Sequence, residues 1–400
     1  MQAFFEDQFE ELKAIRYEFH RYPELGLAEV KTAEKIKLIL TELDIPFVSE
    51  IGQTGIIATL TGKLPDNGRA VGLRADIDAL PMQELSKHDH CSLIDGCMHA
   101  CGHDGHMTIL IAAAKYFALH RNFAGIIYFI FQPAEEGLGG ADKMVKDGLF
   151  ERFPMDAVYG LHNWPYIPAG KIAVLDGPAM AAPDRLSIMI HGRGGHGGVS
   201  PHLTIDPIRI SASLVNALHT IVSRELPPHE KAVLSLCSLN AGSMEAFNVI
   251  PDTASLSGTV RTFSKDLQDV MESSIRRICE GIASTYGAKI DVDYQRSYPV
   301  TVNDPECAQL VRDVIEATFP EGVLDSDVLP SFGGEDFSFM LNACRGAYIF
   351  LGSAKNDEDE PLHSPTFDFN DDVIPKGAML FVSVALRALS QPLYLPKGKG

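Results

Sequence analysis

A chain of 400 residues is long enough for two domains of about 100–200 residues each. Its composition, 46% hydrophobic and 22% charged, is that of a globular protein, and a formal net charge of −19 with no basic tract argues against nucleic acid and anionic membrane surfaces as partners. Seven cysteines, an odd number scattered without scaffold spacing, point to a reducing cytoplasm, with thiols free for a metal or for the core.

The first 13 residues are acidic and amphipathic, unlike a signal peptide. Phe5, Phe9, Leu12, Ile15 and Phe19 recur at helical spacing and predict a helix over 3–21, ended before Pro23. Val30, Ala33, Ile36, Ile39, Leu40 and Leu43 predict a second, stopped by Asp44-Ile45-Pro46. Strands are expected at 55–60 and 70–74, the latter opening into Asp76 and Asp78, and an alanine-rich helix at 107–119. The continuous apolar run 126–131 is typical of a strand buried on both faces of a mainly parallel sheet, and it ends in Pro133-Ala134-Glu135-Glu136-Gly137. Another strand, 157–161, ends in His162. No apolar run approaches the ~20 residues that a membrane span needs.

From about residue 183 the texture changes. Strand 185–191, helix 206–224, strands 232–239 and 254–262, helix 266–286 and strand 289–294 follow the β-α-β-β-α-β order of a ferredoxin-like unit. We read an insertion of about a hundred residues. The first fold then resumes with helix 305–318, strand 347–351 and a final helix 375–389. The expected division is 1–182 and 296–400 for one domain and 183–295 for the other. Low complexity is confined to 356–360 and 396–400.

The densest chemistry lies between Met98 and His106, where Cys101, Asp104 and the imidazoles of His99, His103 and His106 share nine positions. Thiolate and imidazole suit a transition metal. The Cys-x-His spacing puts Cys101 and His103 on one side of an extended segment. In open α/β sheets ligands bind beyond the carboxyl ends of the strands, and Asp76/Asp78, Glu135/Glu136 and His162 stand at three such ends. Cys101, His103, Glu136, His162 and His363 form a mixed S/N/O set, enough for two divalent ions that share ligands, and paired ions about 3.5–4 Å apart can hold a hydroxide and polarise a carbonyl. Glu135, beside a ligand carboxylate, is placed to carry a proton from water to a leaving amine. Asp78 can orient an imidazole or steady the metal bridge. His99 and His106 are expected to buttress the loop, and Cys97 to be a small core residue.

The motifs Ala75-Asp76-Ile77-Asp78-Ala79-Leu80-Pro81, Met98-His99-Ala100-Cys101-Gly102-His103-Asp104, Pro133-Ala134-Glu135-Glu136-Gly137, Gly160-Leu161-His162 and Leu362-His363-Ser364-Pro365 resemble the metal-dependent aminoacylase/carboxypeptidase family. Within it the chain is similar to the amidohydrolase branch of hippurate hydrolases, N-acetyl-diaminopimelate deacetylases and auxin-conjugate hydrolases. The likeness runs from His20-Arg21-Tyr22-Pro23-Glu24-Leu25-Gly26 to the last helix. It implies an α/β, zinc-exopeptidase-like catalytic domain with a mainly parallel central sheet, interrupted by a ferredoxin-like α+β lid that dimerises. It implies Cys101, His103, Glu136, His162 and His363 as ligands of two divalent ions (zinc, manganese, cobalt or nickel), Glu135 as general acid/base and Asp78 as support.

In the lid, His196 matches the histidine that assists the oxyanion, from the other chain of a homodimer or higher oligomer. Asn248 and Arg261 match residues that bind the substrate carboxylate, a task suited to the guanidinium fork. The run from His196 to His202 is one residue longer than the family's, so the role of His202 stays open. The expected reaction is hydrolysis of a small N-acyl-L-amino acid, hippurate-like or N-acetyl, by metal-bound water. Alternatives are N-acetyl-L,L-diaminopimelate deacetylation, a dinuclear aminopeptidase, or a catalytically retired metal-binding regulator. Aminopeptidase-like branches carry a histidine near the position of Asp76, which this chain lacks.

Overall fold

The computed structural model describes residues 1–356 and 360–390. Most of the 356–360 stretch and the whole of 396–400 lie outside the described residues. The chain forms two compact units: Met1–Ala179 with Thr301–Leu329 and the chain from Asp336 onward, and Met180–Val300 with Pro330–Glu335.

The first unit is built on a seven-stranded sheet in the order Phe47–Ile51, Gly55–Thr61, Ile126–Gln132, Ala70–Asp76, Ala157–Pro168, Gly346–Ala354, Ile172–Ala173. The four strands from Ile126–Gln132 to Gly346–Ala354 pair in parallel, and the flanking pairs are antiparallel. Parallel strands buried on both faces need apolar side chains throughout, which Ile126–Gln132 supplies with six of its seven residues buried. Strand Ala157–Pro168 runs seven residues beyond the apolar segment that announces it. His162 therefore lies within the strand, in register with Phe350, rather than after it.

Helix His103–Leu119 is buried on nearly every side, from His103 through Ala114. A helix apolar all round belongs in the core. The expected first helix is two, Gln2–Asp7 and Phe9–Arg21, joined at Gln8. Edge strand Phe47–Ile51, only half-buried and five residues long, left too weak a pattern to be read from sequence. One expectation is corrected: Asp371–Ser390 is long and apolar enough, by length and composition, to cross a membrane. Here it ends in the core helix Ile374–Ser390, whose Leu380, Phe381, Val382 and Val384 are fully buried.

The second unit is an antiparallel sheet in the order Ala232–Ala241, Thr253–Thr262, Ala182–His191, Lys289–Gln295. Numbering its strands along the chain gives 2-3-1-4, the ferredoxin-like arrangement. The amphipathic helices Pro207–Leu218 and Lys265–Tyr286 bury Ile210, Leu214, Met271 and Ile275 against Leu186, Ile188 and Leu256. Both helices start on a side-chain cap: Asp206 accepts from Ile208 N–H, and Ser264 from Leu267 N–H. Pro330–Glu335 joins this unit because Ala181 N–H donates to the carbonyls of Ser331 and Gly333.

Candidate metal centre

Cys101 and His103 do not share an extended segment. Gly102 intervenes in a left-handed conformation (φ 90°), and His103 is the first residue of its helix. A Cβ at Gly102 would collide with the Asn163 side chain, so only glycine allows this turn. The turn, not strand alternation, brings the two donors together. Cys101, His103 and His162 present Sγ and ring nitrogens within 4.8 Å of one another, and so do the donor atoms of Cys101, Glu136 and His363. Two three-donor groups therefore share one thiol.

Each imidazole is steered by its second nitrogen. His103 Nδ1 donates to the Asp78 carbonyl at 2.9 Å and lies 3.2 Å from Asp78 Oδ1, while its buried Nε2 makes no hydrogen bond among the described residues. His162 Nδ1 donates to the Asn163 carbonyl at 2.6 Å, which turns Nε2 to Cys101 Sγ at 3.3 Å. Ligating histidines are commonly fixed in this way. His363 is held by its backbone, at φ 65° with N–H donating to the Ala100 carbonyl, and its Nε2 lies 3.2 Å from Glu136 Oε1. That oxygen is buried and makes no hydrogen bond among the described residues. Left-handed backbone at a non-glycine residue persists only where its surroundings enforce it.

Asp78 touches both groups: Oδ2 accepts the Glu136 N–H at 2.9 Å while the residue orients His103. Glu135 is buried beside them, with Oε1 accepting the Asp336 N–H at 3.2 Å. Of the groups beneath, sequence reasoning named Asp76 and His106 but gave no role to Arg74, Gln132 or Asn163. Fully buried Arg74 pairs with Asp76 at 2.8 Å and donates to Gln132. Asp76 Oδ1 meets His106 Nδ1 at 2.6 Å, and His106 Nε2 meets Asn163 Oδ1 at 2.7 Å. A lone arginine in an otherwise apolar strand was the signal available for this layer.

The charges fit a cation. Burial, then the carboxylates of Glu136, Glu135 and Asp76, push the Cys101 thiol well up. Burial pulls His103 down, but Asp76, Asp78 and Glu136 outweigh it and raise the imidazole to about 10. Burial, with His106 adding to it, holds His162 well below its usual range, so its Nε2 keeps a lone pair. Thiol, imidazole and carboxylate donors, unpaired buried atoms and surplus negative charge together suit divalent ions of the zinc class.

His196, Asn248 and Arg261 belong to the second unit. His196 is exposed on the two-residue strand Gly195–His196, paired with Val249–Ile250. Its Nδ1 accepts the N–H groups of Gly198 and Val199, both at 3.1 Å, which leaves the proton on the outward Nε2. The half-buried Arg261 guanidinium makes no side-chain hydrogen bond or ion pair among the described residues, and burial, opposed by Asp184, lowers its pKa. His202 sits exposed in the turn Pro201–Leu203. Cys97 is buried, its thiol pushed up to about 11 by burial first and by Glu24.

A family profile described as Peptidase family M20/M25/M40 matches residues 72–387. Hippurate hydrolase of Campylobacter jejuni is 40% identical over 95% of this chain and 97% of its own length. N-acetyldiaminopimelate deacetylase of Leuconostoc mesenteroides is 40% identical over 92% and 94% respectively. The crystal structure of the Bacillus subtilis YXEP protein, described as a dinuclear metal-binding peptidase, superposes with a TM-score of 0.83 at 33% identity, covering 98% of this chain and 99% of that one.

Proposed function

Since the chain belongs to peptidase family M20/M25/M40 and is a hydrolase of its amidohydrolase kind, we propose that it cleaves the amide bond of N-acyl-L-amino acids, hippurate-like substrates first, at a centre of two divalent ions. The observation that carries this reading is the pair of donor groups sharing Cys101: His103 and His162 on one side, Glu136 and His363 on the other. Bound there, two ions would supply Lewis acidity to the amide carbonyl and bring the pKa of a coordinated water to about 7. YXEP, alike over its whole length, is described as dinuclear.

Glu135 takes the proton of the attacking water and returns it to the leaving amine nitrogen, a task open to a carboxylate that is not itself a ligand. Asp78 aims His103 and holds the Glu136 backbone. In the second unit, the outward Nε2–H of His196 suits a donor to the oxyanion, supplied by the second chain of a homodimer. The uncommitted Arg261 guanidinium, with Asn248, suits the substrate carboxylate. A second reading, N-acetyldiaminopimelate deacetylation, is favoured by an equally identical relative of that name.

The neighbouring glutamates test the reading. Glu135→Gln is expected to keep both ions and lose about 10²–10⁴-fold in turnover. Glu136→Gln is expected to lose metal. Activity is read on benzoyl-, acetyl- and diaminopimelate-type substrates, with metal-stripped and metal-restored protein. A nearly active Glu135→Gln chain with normal metal content overturns the proton-carrier role, and hydrolysis of none of these substrates overturns the substrate class.

A further inference from the structure

The peptide that delivers Glu135 and Glu136 is strained. Ala134, just before them, has φ 51° and ψ 45°, left-handed for a residue with a side chain. Such a conformation must be enforced from outside. Its enforcers are unusual for a backbone turn. Three buried carboxylates each accept one backbone N–H of this segment: Glu29 from Ala134 at 2.8 Å, Asp78 from Glu136 at 2.9 Å, and Asp336 from Ala141 at 2.9 Å.

Glu29 is the unexpected member, 105 residues away along the chain. It stands at the N-cap of helix Val30–Glu42, yet its side chain makes no cap hydrogen bond. That task falls to Glu24, whose Oε2 accepts both the N–H and the hydroxyl of Thr32. Released from its own helix, the fully buried Glu29 carboxylate turns the other way. Its Oε1 takes the Ala134 N–H, and its Oε2 takes the Thr54 hydroxyl at 2.6 Å. The same loop presses on Ala134 at a second point, because a Cβ on Gly26 would stand 3.1 Å from both Cα and Cβ of Ala134. It also ties down the neighbouring strand end, where Ala79 N–H donates to the Glu24 carbonyl. Loop Pro23–Glu29 thus grips both segments that carry the acids of the centre.

We propose that Glu29 is a positioning residue for the reaction, holding Ala134 left-handed so that the Glu135 carboxylate meets the substrate amide in a productive orientation. Glu29 touches no reacting atom; it acts through one backbone hydrogen bond. The inference rests on Glu135 as proton carrier, so the Glu135→Gln chain serves as its reference.

The test compares Glu29→Met, which keeps the volume but removes the acceptor, with Glu29→Gln, which keeps an acceptor oxygen. Misaiming by about 1 Å can cost on the order of 10²-fold. For Glu29→Met we expect kcat to fall about 10–100-fold, KM to stay within about threefold, and the full metal content to remain, because Glu136 is still tied to Asp78. Glu29→Gln should recover most of kcat. Glycine adopts the left-handed conformation without strain, so in an Ala134→Gly chain the loss caused by Glu29→Met should shrink. That coupling is not expected of a carboxylate that merely fills the core, and the double variant keeps the comparison open if Glu29→Met alone folds poorly.

The inference is overturned if Glu29→Met has wild-type kcat, if Glu29→Gln is as impaired as Glu29→Met, or if the loss is the same in the Ala134→Gly chain. A fall in kcat that only tracks lost metal or lost folded protein also overturns it. If Glu135→Gln itself proves active, the reading of the site fails instead.

Discussion

Two clusters of imidazoles and carboxylates lie at the start of helix His103–Leu119, and they differ in where their nitrogens go. In the Cys101 cluster, His103 and His162 each spend one nitrogen on a backbone carbonyl and turn the other toward the thiol. In the neighbouring cluster His20 spends both on carboxylates, Nδ1 on Asp104 at 2.8 Å and Nε2 beside Glu84 at 3.4 Å. His90 Nε2 meets Asp368 at 2.9 Å, and the buried Arg16 guanidinium spans Asp104, Asp368 and Asp371. In the second cluster the Arg16 guanidinium and the raised His20 imidazole face the carboxylates; in the first, His103 Nε2 and Glu136 Oε1 stand near the thiol without a hydrogen bond among the described residues. The same residue types thus make a candidate metal site around the thiol in one place and an ionic network around Arg16 in the other. Spacing along the chain does not distinguish them, since both draw on the stretch from Glu84 to His106.

The sharpest way to break this contrast is to remove the centre of each cluster. Arg16→Met removes the guanidinium shared by Asp104, Asp368 and Asp371 and leaves His20 as the remaining cation on Asp104, and one-sided loss of a buried ion pair typically costs about 3–5 kcal/mol. The unfolding midpoint should fall by a similar amount with and without metal. Cys101→Ser should leave the metal-free midpoint near wild type and abolish most of the stabilisation that added metal gives, because an ion stabilises only the fold that binds it. Metal-dependent loss in Arg16→Met, or metal-independent loss in Cys101→Ser, would erase the distinction.

A smaller effect sharpens it. Burial lowers the His20 pKa, but Asp104 and Glu84 outweigh it and raise the imidazole from 6.5 to about 9. A raised folded-state value means that this stabilisation is complete below about pH 6.5 and is lost as pH rises through about 9. Glu84 is lowered to about 2, against burial, chiefly by its hydrogen bond to His20, so its share is present above about pH 4.5 and is lost as pH falls through about 2. Between pH 6.5 and 9 the metal-stripped chain should lose on the order of a few kcal/mol more than a His20→Gln chain. Parallel stability curves for the two chains would remove His20 from the charged network.

Much of the fold was legible because its signals are local. The apolar run before Pro133, the helical spacing in 30–43 and the strand–helix order after residue 183 each depend on near neighbours. The donors could be seen for the same reason, each sitting in a short motif. What stayed hidden depends on contacts across the chain: Asp336 under Glu135, Asn163 against Gly102, Arg74 between Asp76 and Gln132, Glu29 on Ala134. The motifs around His103 and His162 marked them out, but the network that ties His20 and His90 to Asp104, Glu84 and Asp368 has no local signal, because those partners come from distant parts of the chain. The Cys-x-His pair was read on strand geometry, while the turn at Gly102 does the work.

The central claim, that Cys101 is shared by two ions, is tested most directly by titrating the metal-stripped chain with cobalt while following the thiolate-to-cobalt absorbance. The account predicts binding of two equivalents per chain, with a thiolate band that disappears in Cys101→Ser. Saturation at one equivalent, or a band that survives in Cys101→Ser, would contradict it.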